Sequence, residues 1–258
     1  MILATVFKGD YVHSVMHIES GKNTILEIYD REFSKNVENL FFKNSNFNKN
    51  VWRVHLHNCL CTIHSVNTMD YEIRAPYKKE MPEQTMLAYG SSITHGANAV
   101  THSNSYSDEA AYILGADILN KGMSGACMFE KEIADFFADD NSWDFVWIEG
   151  AVNSLHMTPE EFNDKFSYFI ETLYKTNRKV FMTTIFPTHE LLDNNSDNYG
   201  KMHQFDDIIR SKKDKGVVIE GKDIITDLRF LTSDLLHPST EGHTRMGINL
   251  ANILREYL

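Results

Sequence analysis

The chain of 258 residues holds only three cysteines, Cys59, Cys61 and Cys127. Three thiols make no disulfide framework, Cys59 and Cys61 sit too close in sequence to bridge comfortably, and no Cys-x-x-Cys pair offers a zinc site. Long apolar runs are missing too, since none approaches the roughly 20 residues that a membrane helix needs. The opening MILATVFKGDYVHS has no basic segment followed by a long apolar core, so no signal peptide is expected. Positive charge is in deficit, with 25 Lys and Arg against 36 Asp and Glu and a formal net charge of -11. Long-range attraction to phosphate is therefore lacking, which argues against nucleic acid or an anionic membrane as a partner. Internal repeats and low-complexity tracts are absent. What is present is an ordinary globular balance, 42% hydrophobic and 24% charged, in a chain long enough for one large domain or two small ones. The expectation is a cytoplasmic protein of a reducing compartment.

The text has two rhythms. Up to about residue 75 apolar residues alternate with period two and no good helix stands out; TILEIYD (24–30) and VWRVHLH (51–57) are the clearest runs. In the second, Trp52, Val54 and Leu56 point to one face and Arg53, His55 and His57 to the other. Turn clusters such as ESGKN and KNSNFNKN separate these runs, the pattern of an antiparallel sheet or sandwich. A candidate linker, RAPYKKEMPEQ (74–84), follows. The expected division is a small β-sandwich-like domain over 1–78 and a second domain over 85–258.

From residue 85 the period changes. Short apolar runs at 86–89, 116–119, 144–149, 179–186 and 216–219 read as buried strands, with helical spacing between them. Thr158, Pro159 and Glu161 mark the start of a helix near 158–176 with a capping box. A last helix over 240–257 carries Met246, Leu250, Ile253 and Leu254 on one stripe, and the run 107–115 is a helix ending at Gly115. Strand–helix alternation predicts an α/β domain with a parallel sheet covered on both faces.

Ligands of such sheets bind beyond the carboxyl ends of the strands. There the sequence places Ser91, Ser92 and Thr94, then NKGMSGA (residues 120–126), then EGAVNS (149–154), then DLLHPSTEGH (234–243). A serine hydroxyl becomes a nucleophile when a base takes its proton and a third group orients that base. Asp234 and His237, three apart, can meet across one turn, and Pro238 pushes His237 out of helical geometry. Donors for a developing oxyanion are the backbone N–H of Ser92, the backbone N–H of Gly125 and the side-chain amide of Asn153. No metal or other cofactor is called for.

In this order the set resembles the SGNH (GDSL-type) hydrolase superfamily, over about residues 85 to 258, which implies a three-layer α/β/α domain of flavodoxin-like order. The resemblance implies Ser92 as nucleophile in Gly90-Ser91-Ser92-Ile93-Thr94, Gly125 and Asn153 in the oxyanion hole, and Asp234-x-x-His237-Pro238 as the rest of a catalytic triad. Ser91 stands where the name-giving motif has Asp. The third block reads Ala151-Val152-Asn153-Ser154 in place of Gly-x-Asn-Asp, with Gly150 one place earlier. Thr94 replaces the second glycine of a Gly-x-Ser-x-Gly elbow, so the serine is expected in a less strained turn. A β-domain ahead of such a hydrolase domain is similar to the architecture of certain carbohydrate esterases. The implied activity is hydrolysis of small carboxylic esters, O-acetyl groups on carbohydrates first among them. The alternatives are a catalytically inactive glycan-binding protein on the same fold and a lipase- or thioesterase-type acyl hydrolase.

Other residues have simpler readings. Ser92 alone could be a turn serine, and Asp234 with His237 a structural turn pair. Thr94 is read as a helix-start cap, and His95 and His243 as surface or supporting residues. His55, His57 and His64 could hold zinc or belong to a solvated strand face. Phe41, Phe42 and Trp52 could stack on sugars, with core packing the simpler reading. Trp147 is read as core.

Overall fold

The structure, a computed structural model, describes residues 2–56 and 60–258; His57 and Cys59, named above, lie outside them. Its contacts divide the chain into two compact units, Met1–Glu83 with Thr101–Ser103, and Gln84–Val100 with Asn104–Leu258.

The first unit is built on a three-stranded antiparallel sheet of β1 (Ile2–Lys8), β2 (Tyr11–Ile18) and β3 (Trp52–Leu56), with β1 in the centre. A bulge interrupts the β1–β2 register between Val6 and Phe7. Three expectations are corrected here. Residues 24–30 form no strand: alternation marks a segment able to pair but names no partner, and the sheet is made of β2, β1 and β3. A short helix, α1 (Lys35–Phe41), forms where no helix was expected. The apolar face of β3 also points outward, leaving Trp52, Val54 and Leu56 exposed like Phe41. The packed face carries Arg53, whose guanidinium lies over the rings of Phe47 at 3.6 Å and Phe7 at 4.9 Å and donates to the Gly9 carbonyl. A planar cation with an apolar stem stacks on aromatic faces as a hydrophobe does, which polarity patterning does not register.

The second unit is the predicted α/β layer. Strands β4 (Thr85–Gly90), β5 (Asp117–Gly122), β6 (Phe145–Ile148), β7 (Lys179–Thr183) and β8 (Val217–Ile219) form a parallel sheet in the order β5-β4-β6-β7-β8. Taken alone this is the 2-1-3-4-5 flavodoxin-like order. Successive residues of β4 and β6 bury opposite faces. Leu87, Tyr89, Val146 and Ile148 pack against α4 (Lys131–Asp139), α5 (Pro159–Tyr174) and α7 (Tyr199–Arg210). Met86, Ala88, Phe145 and Trp147 pack against α3 (Tyr106–Leu114) and α9 (Thr240–Leu254). Trp147 is core, as read from the sequence.

Two helix boundaries show how local chemistry set the layers. Thr158 accepts from the Glu161 amide while the Glu161 carboxylate accepts from the Thr158 amide, closing the expected capping box of α5. Gly115, at φ 75°, ends α3 and turns the chain into β5. Further short helices are α2 (Ser92–His95), α6 (His189–Leu192) and α8 (Gly221–Ile224). Among the described residues no helix is long and apolar enough to cross a membrane.

Candidate active site

Chain order reverses across β4, because β5 lies on one side of it and β6 on the other. Ser92 stands directly past this switch point, as the first residue of α2. Ser91 precedes it in extended geometry and its hydroxyl accepts from the Ile93 amide, capping the turn. The cap is thus Ser91 and not Thr94, which is buried inside α2 with its hydroxyl in a polar network. Thr94 has polar partners deep in the layer, so its side chain does not serve the helix end.

The Ser92 hydroxyl lies 2.8 Å from His237 Nε2, and His237 Nδ1 lies 2.8 Å from Asp234 Oδ2. An ionised carboxylate only accepts, so the imidazole proton belongs on Nδ1 and Nε2 is left to accept from the serine. Asp234 Oδ1 takes three further donors, the amides of Leu236 and His237 and the Thr232 hydroxyl, each at 2.9 Å. Partial burial opposes the charge on Asp234, but the hydrogen bonds, led by that from the His237 ring, hold its carboxyl far below the usual carboxylate range.

The loop carrying this pair is held by its own backbone. Thr232 N–H donates to the His237 carbonyl, Leu231 and Pro238 form an antiparallel bridge, and the His189 amide donates to the Leu235 carbonyl. Leu235 sits at φ 50°, an uncommon conformation for a branched side chain.

Gly125 and Asn153 come from the loops beyond β5 and β6. Gly125 has φ 69°, with no heavy atom within 4 Å of where a Cβ would stand, so a side chain here would be strained and would fill open space. Asn153 lies in the 3-10 turn Ala151–Ser154, entered through Gly150 at φ 143°. Its Oδ1 accepts from the Cys127 amide at 3.4 Å, which directs the NH₂ end of the side chain to the opposite side. The third-block departure thus keeps an anchored asparagine.

His95 and His243 have separate places. His95 Nδ1 meets the Ser124 hydroxyl at 2.7 Å. His243 is fully buried; its Nδ1 accepts from the Tyr106 amide and its Nε2–H donates to the Ala97 carbonyl. Burial lowers the tendency of His243 to protonate, in keeping with a neutral ring whose two nitrogens are both engaged. Among the described residues no group of three His, Cys, Asp or Glu side chains is placed to hold a metal ion.

Residues 83–255 match the model of the GDSL-like lipase/acylhydrolase family. The chain belongs to that family. Membership of the GDSL-like family agrees with the SGNH resemblance drawn from the motifs, and it makes the chain one of a family of serine hydrolases. Solved structures of the same fold include one described as a GDSL-like lipase from Bacteroides ovatus, 21% identical with a TM-score of 0.56, covering 67% of this chain and 53% of that one. The salicylyl-acyltransferase SsfX3 of a tetracycline biosynthetic pathway is 14% identical with a TM-score of 0.56, covering 67% and 54%. The acetylxylan esterase Axe2 from Geobacillus stearothermophilus is 16% identical with a TM-score of 0.53, covering 67% and 93%. The match thus spans about half the length of the first two. No curated protein matches the sequence.

Sequence reasoning did not find Thr232, which bonds Asp234, or Glu149, whose buried carboxyl group meets the hydroxyls of Ser91 and Thr94. Glu149 left a trace, being a charged residue at the end of the apolar run Phe145–Ile148 in a sheet covered on both faces, where such residues are rare. Thr232, two residues ahead of Asp234, left none beyond its ordinary turn chemistry.

Proposed function

We propose that the chain is a serine esterase that hydrolyses small carboxylic esters, with O-acetyl groups on carbohydrates as the substrate class. The observation that carries this reading is the continuous relay from the Ser92 hydroxyl through His237 to Asp234, with 2.8 Å at each step. Ser92 Oγ attacks the ester carbonyl while His237 Nε2 takes the hydroxyl proton. The tetrahedral oxyanion is met by the amides of Ser92 and Gly125 and by the Asn153 side chain. The C–O bond to the alcohol then breaks, and His237 returns its proton to the departing oxygen. Water, deprotonated by the same imidazole, attacks the acyl-serine and releases acetate and free Ser92. Asp234 remains ionised throughout and balances the imidazolium.

Small size and polarity around the serine favour a short acyl group. His95, three residues past Ser92, and Ser124, beside Gly125, are bonded to each other there, and an acetylxylan esterase shares the fold. Fold alone does not choose a substrate, so the test is direct. Acetate release from p-nitrophenyl acetate and from acetylated sugars is measured for wild type beside Ser92→Ala. A loss of about 10³-fold or more in the variant is expected, and near-normal turnover in Ser92→Ala would sink the assignment. A series of nitrophenyl esters that favours long chains would move the reading to a lipase.

A further inference from the structure

The turn that presents Ser92 rests on a buried carboxyl group that ester hydrolysis does not use. Glu149 follows β6 and is 5% exposed. Donors from one short segment converge on it. The Ser91 amide donates to Oε2 at 3.0 Å, the Ser91 hydroxyl lies 3.0 and 2.9 Å from the two carboxyl oxygens, and the Thr94 hydroxyl lies 2.9 Å from Oε2. Ser91 comes immediately before Ser92 and Thr94 two residues after it, so Glu149 grips the turn on both sides of the serine.

A count of protons gives this network a direction. Trp147 Nε1–H can only donate, and it donates to the Tyr106 hydroxyl at 2.8 Å. The buried Tyr106 then spends its own proton on Thr94 Oγ1, 2.8 Å away. Thr94 is left with its proton for Glu149. Every donor therefore runs toward the carboxyl group, which serves as the common acceptor. Gly90, the last residue of β4, makes room, since a Cβ there would lie 2.2 Å from Thr94 Oγ1 and 2.8 Å from Glu149 Oε2.

We propose that Glu149 is a positioning residue for Ser92, holding from the end of β6 the turn on both sides of the serine. An aspartate at 91 would set a second carboxyl group against Glu149 in a buried site, where both cannot ionise, and would remove the hydroxyl donor that Ser91 supplies. Glutamine at 149 would relieve that conflict and offer an NH₂ donor to the new carboxylate. The proposal rests on the reading of Ser92 as nucleophile.

The test uses the full chain with four variants, Ser92→Ala, Glu149→Gln, Ser91→Asp and the double variant Ser91→Asp/Glu149→Gln. Turnover of p-nitrophenyl acetate is resolved into kcat and KM, and thermal unfolding checks folding. Turnover that is absent, or that survives in Ser92→Ala, overturns the esterase reading and the proposal with it. With Ser92-dependent turnover in hand, Glu149→Gln is expected to lose about 10²-fold in kcat, the cost of a small misplacement of a reacting group. Its KM should stay within about threefold, because Glu149 does not reach the ester. Ser91→Asp is expected to lose as much, and the double variant to recover about tenfold over either single change. A Glu149→Gln enzyme with wild-type kcat overturns the proposal. So does a double variant whose losses simply add. Should Ser91→Asp not fold, Thr94→Val is combined with Glu149→Gln; losses that overlap support the shared network, and additive losses overturn it.

Discussion

Replacing Asp234 with asparagine separates the charge of this carboxylate from its architecture. Oδ1 accepts from two backbone amides and from Thr232, while Oδ2 faces His237 Nδ1. In the Asp234→Asn variant the side chain keeps the three bonds at Oδ1 in only one orientation, and that orientation turns its NH₂ toward the histidine. Flipping the amide would set the NH₂ against three donors. The imidazole therefore changes tautomer, and Nε2 points a proton at Ser92 where it should accept one. Restoring the productive tautomer forfeits a charge-assisted bond, about 1.5–3 kcal/mol. The imidazolium of the transition state also loses its counter-charge, worth about 4 kcal/mol at 4 Å in an effective dielectric of 20. Asp234 is 48% exposed, so solvent screening cuts that second figure to roughly half. The sum, about 3.5–5 kcal/mol, corresponds to a fall of roughly 400-fold to 5,000-fold in kcat/KM at 1.36 kcal/mol per decade. Initial rates with p-nitrophenyl acetate measure it, and thermal unfolding within a few degrees of wild type shows that the loop is kept. A folded Asp234→Asn variant within tenfold of wild-type activity would refute the role given to the carboxylate.

Two other predictions concern stability. Asp206, buried under the loop after β7, accepts from the Ile185 amide, and burial pushes its carboxyl up to about 6 from 3.8. A folded-state value above the unfolded one means that the native state holds the extra proton between about pH 4 and 6, so this group's contribution declines as pH rises through that window. Asp206→Asn keeps the acceptor and removes the titration, and its stability relative to wild type should rise by up to about 3 kcal/mol from pH 4 to 7; a pH-independent difference in urea unfolding would contradict this. Phe162, fully buried, stacks on Phe205 at 4.0 Å and on Phe166 at 5.4 Å. Phe162→Ala should cost about 3–5 kcal/mol, and a loss under about 1 kcal/mol by the same measurement would mean that this aromatic layer is not packed as described.

How much was legible depended on whether a feature is written locally. The capping box of α5, the stop at Gly115 and the apolar runs of β4 to β8 depend on neighbours in sequence, and they can be read without the fold. The strand-end residues could be gathered because a parallel sheet brings its carboxyl ends together whatever the helices contain. Arg53 was misread because polarity predicts exposure and stacking reverses it. Residues 24–30 were misread because a strand exists only with a partner, and alternation does not name one. Thr94 and Glu149 were missed as a pair for a related reason. They lie 55 positions apart, and neither has a motif until β4 and β6 are laid side by side.

The relay also joins two supports of different character. Ser92 stands on a turn braced by buried groups from β6 and α3, so moving it means disturbing the sheet's interior. Asp234 and His237 stand on a half-exposed loop held by short bonds of its own, from Thr232 and the bridge between Leu231 and Pro238, and by one bond from His189 of α6. Local bonds facing water are the first to open. The distance between Ser92 and His237 is therefore governed from the histidine's side, where Pro238 ties the loop to the start of α9. On the proposed mechanism, buried groups fix where the nucleophile is, and a short stapled loop brings the base to it. Such a division gives the nucleophile a fixed frame while leaving the base some freedom to follow its proton from the serine to the leaving alcohol.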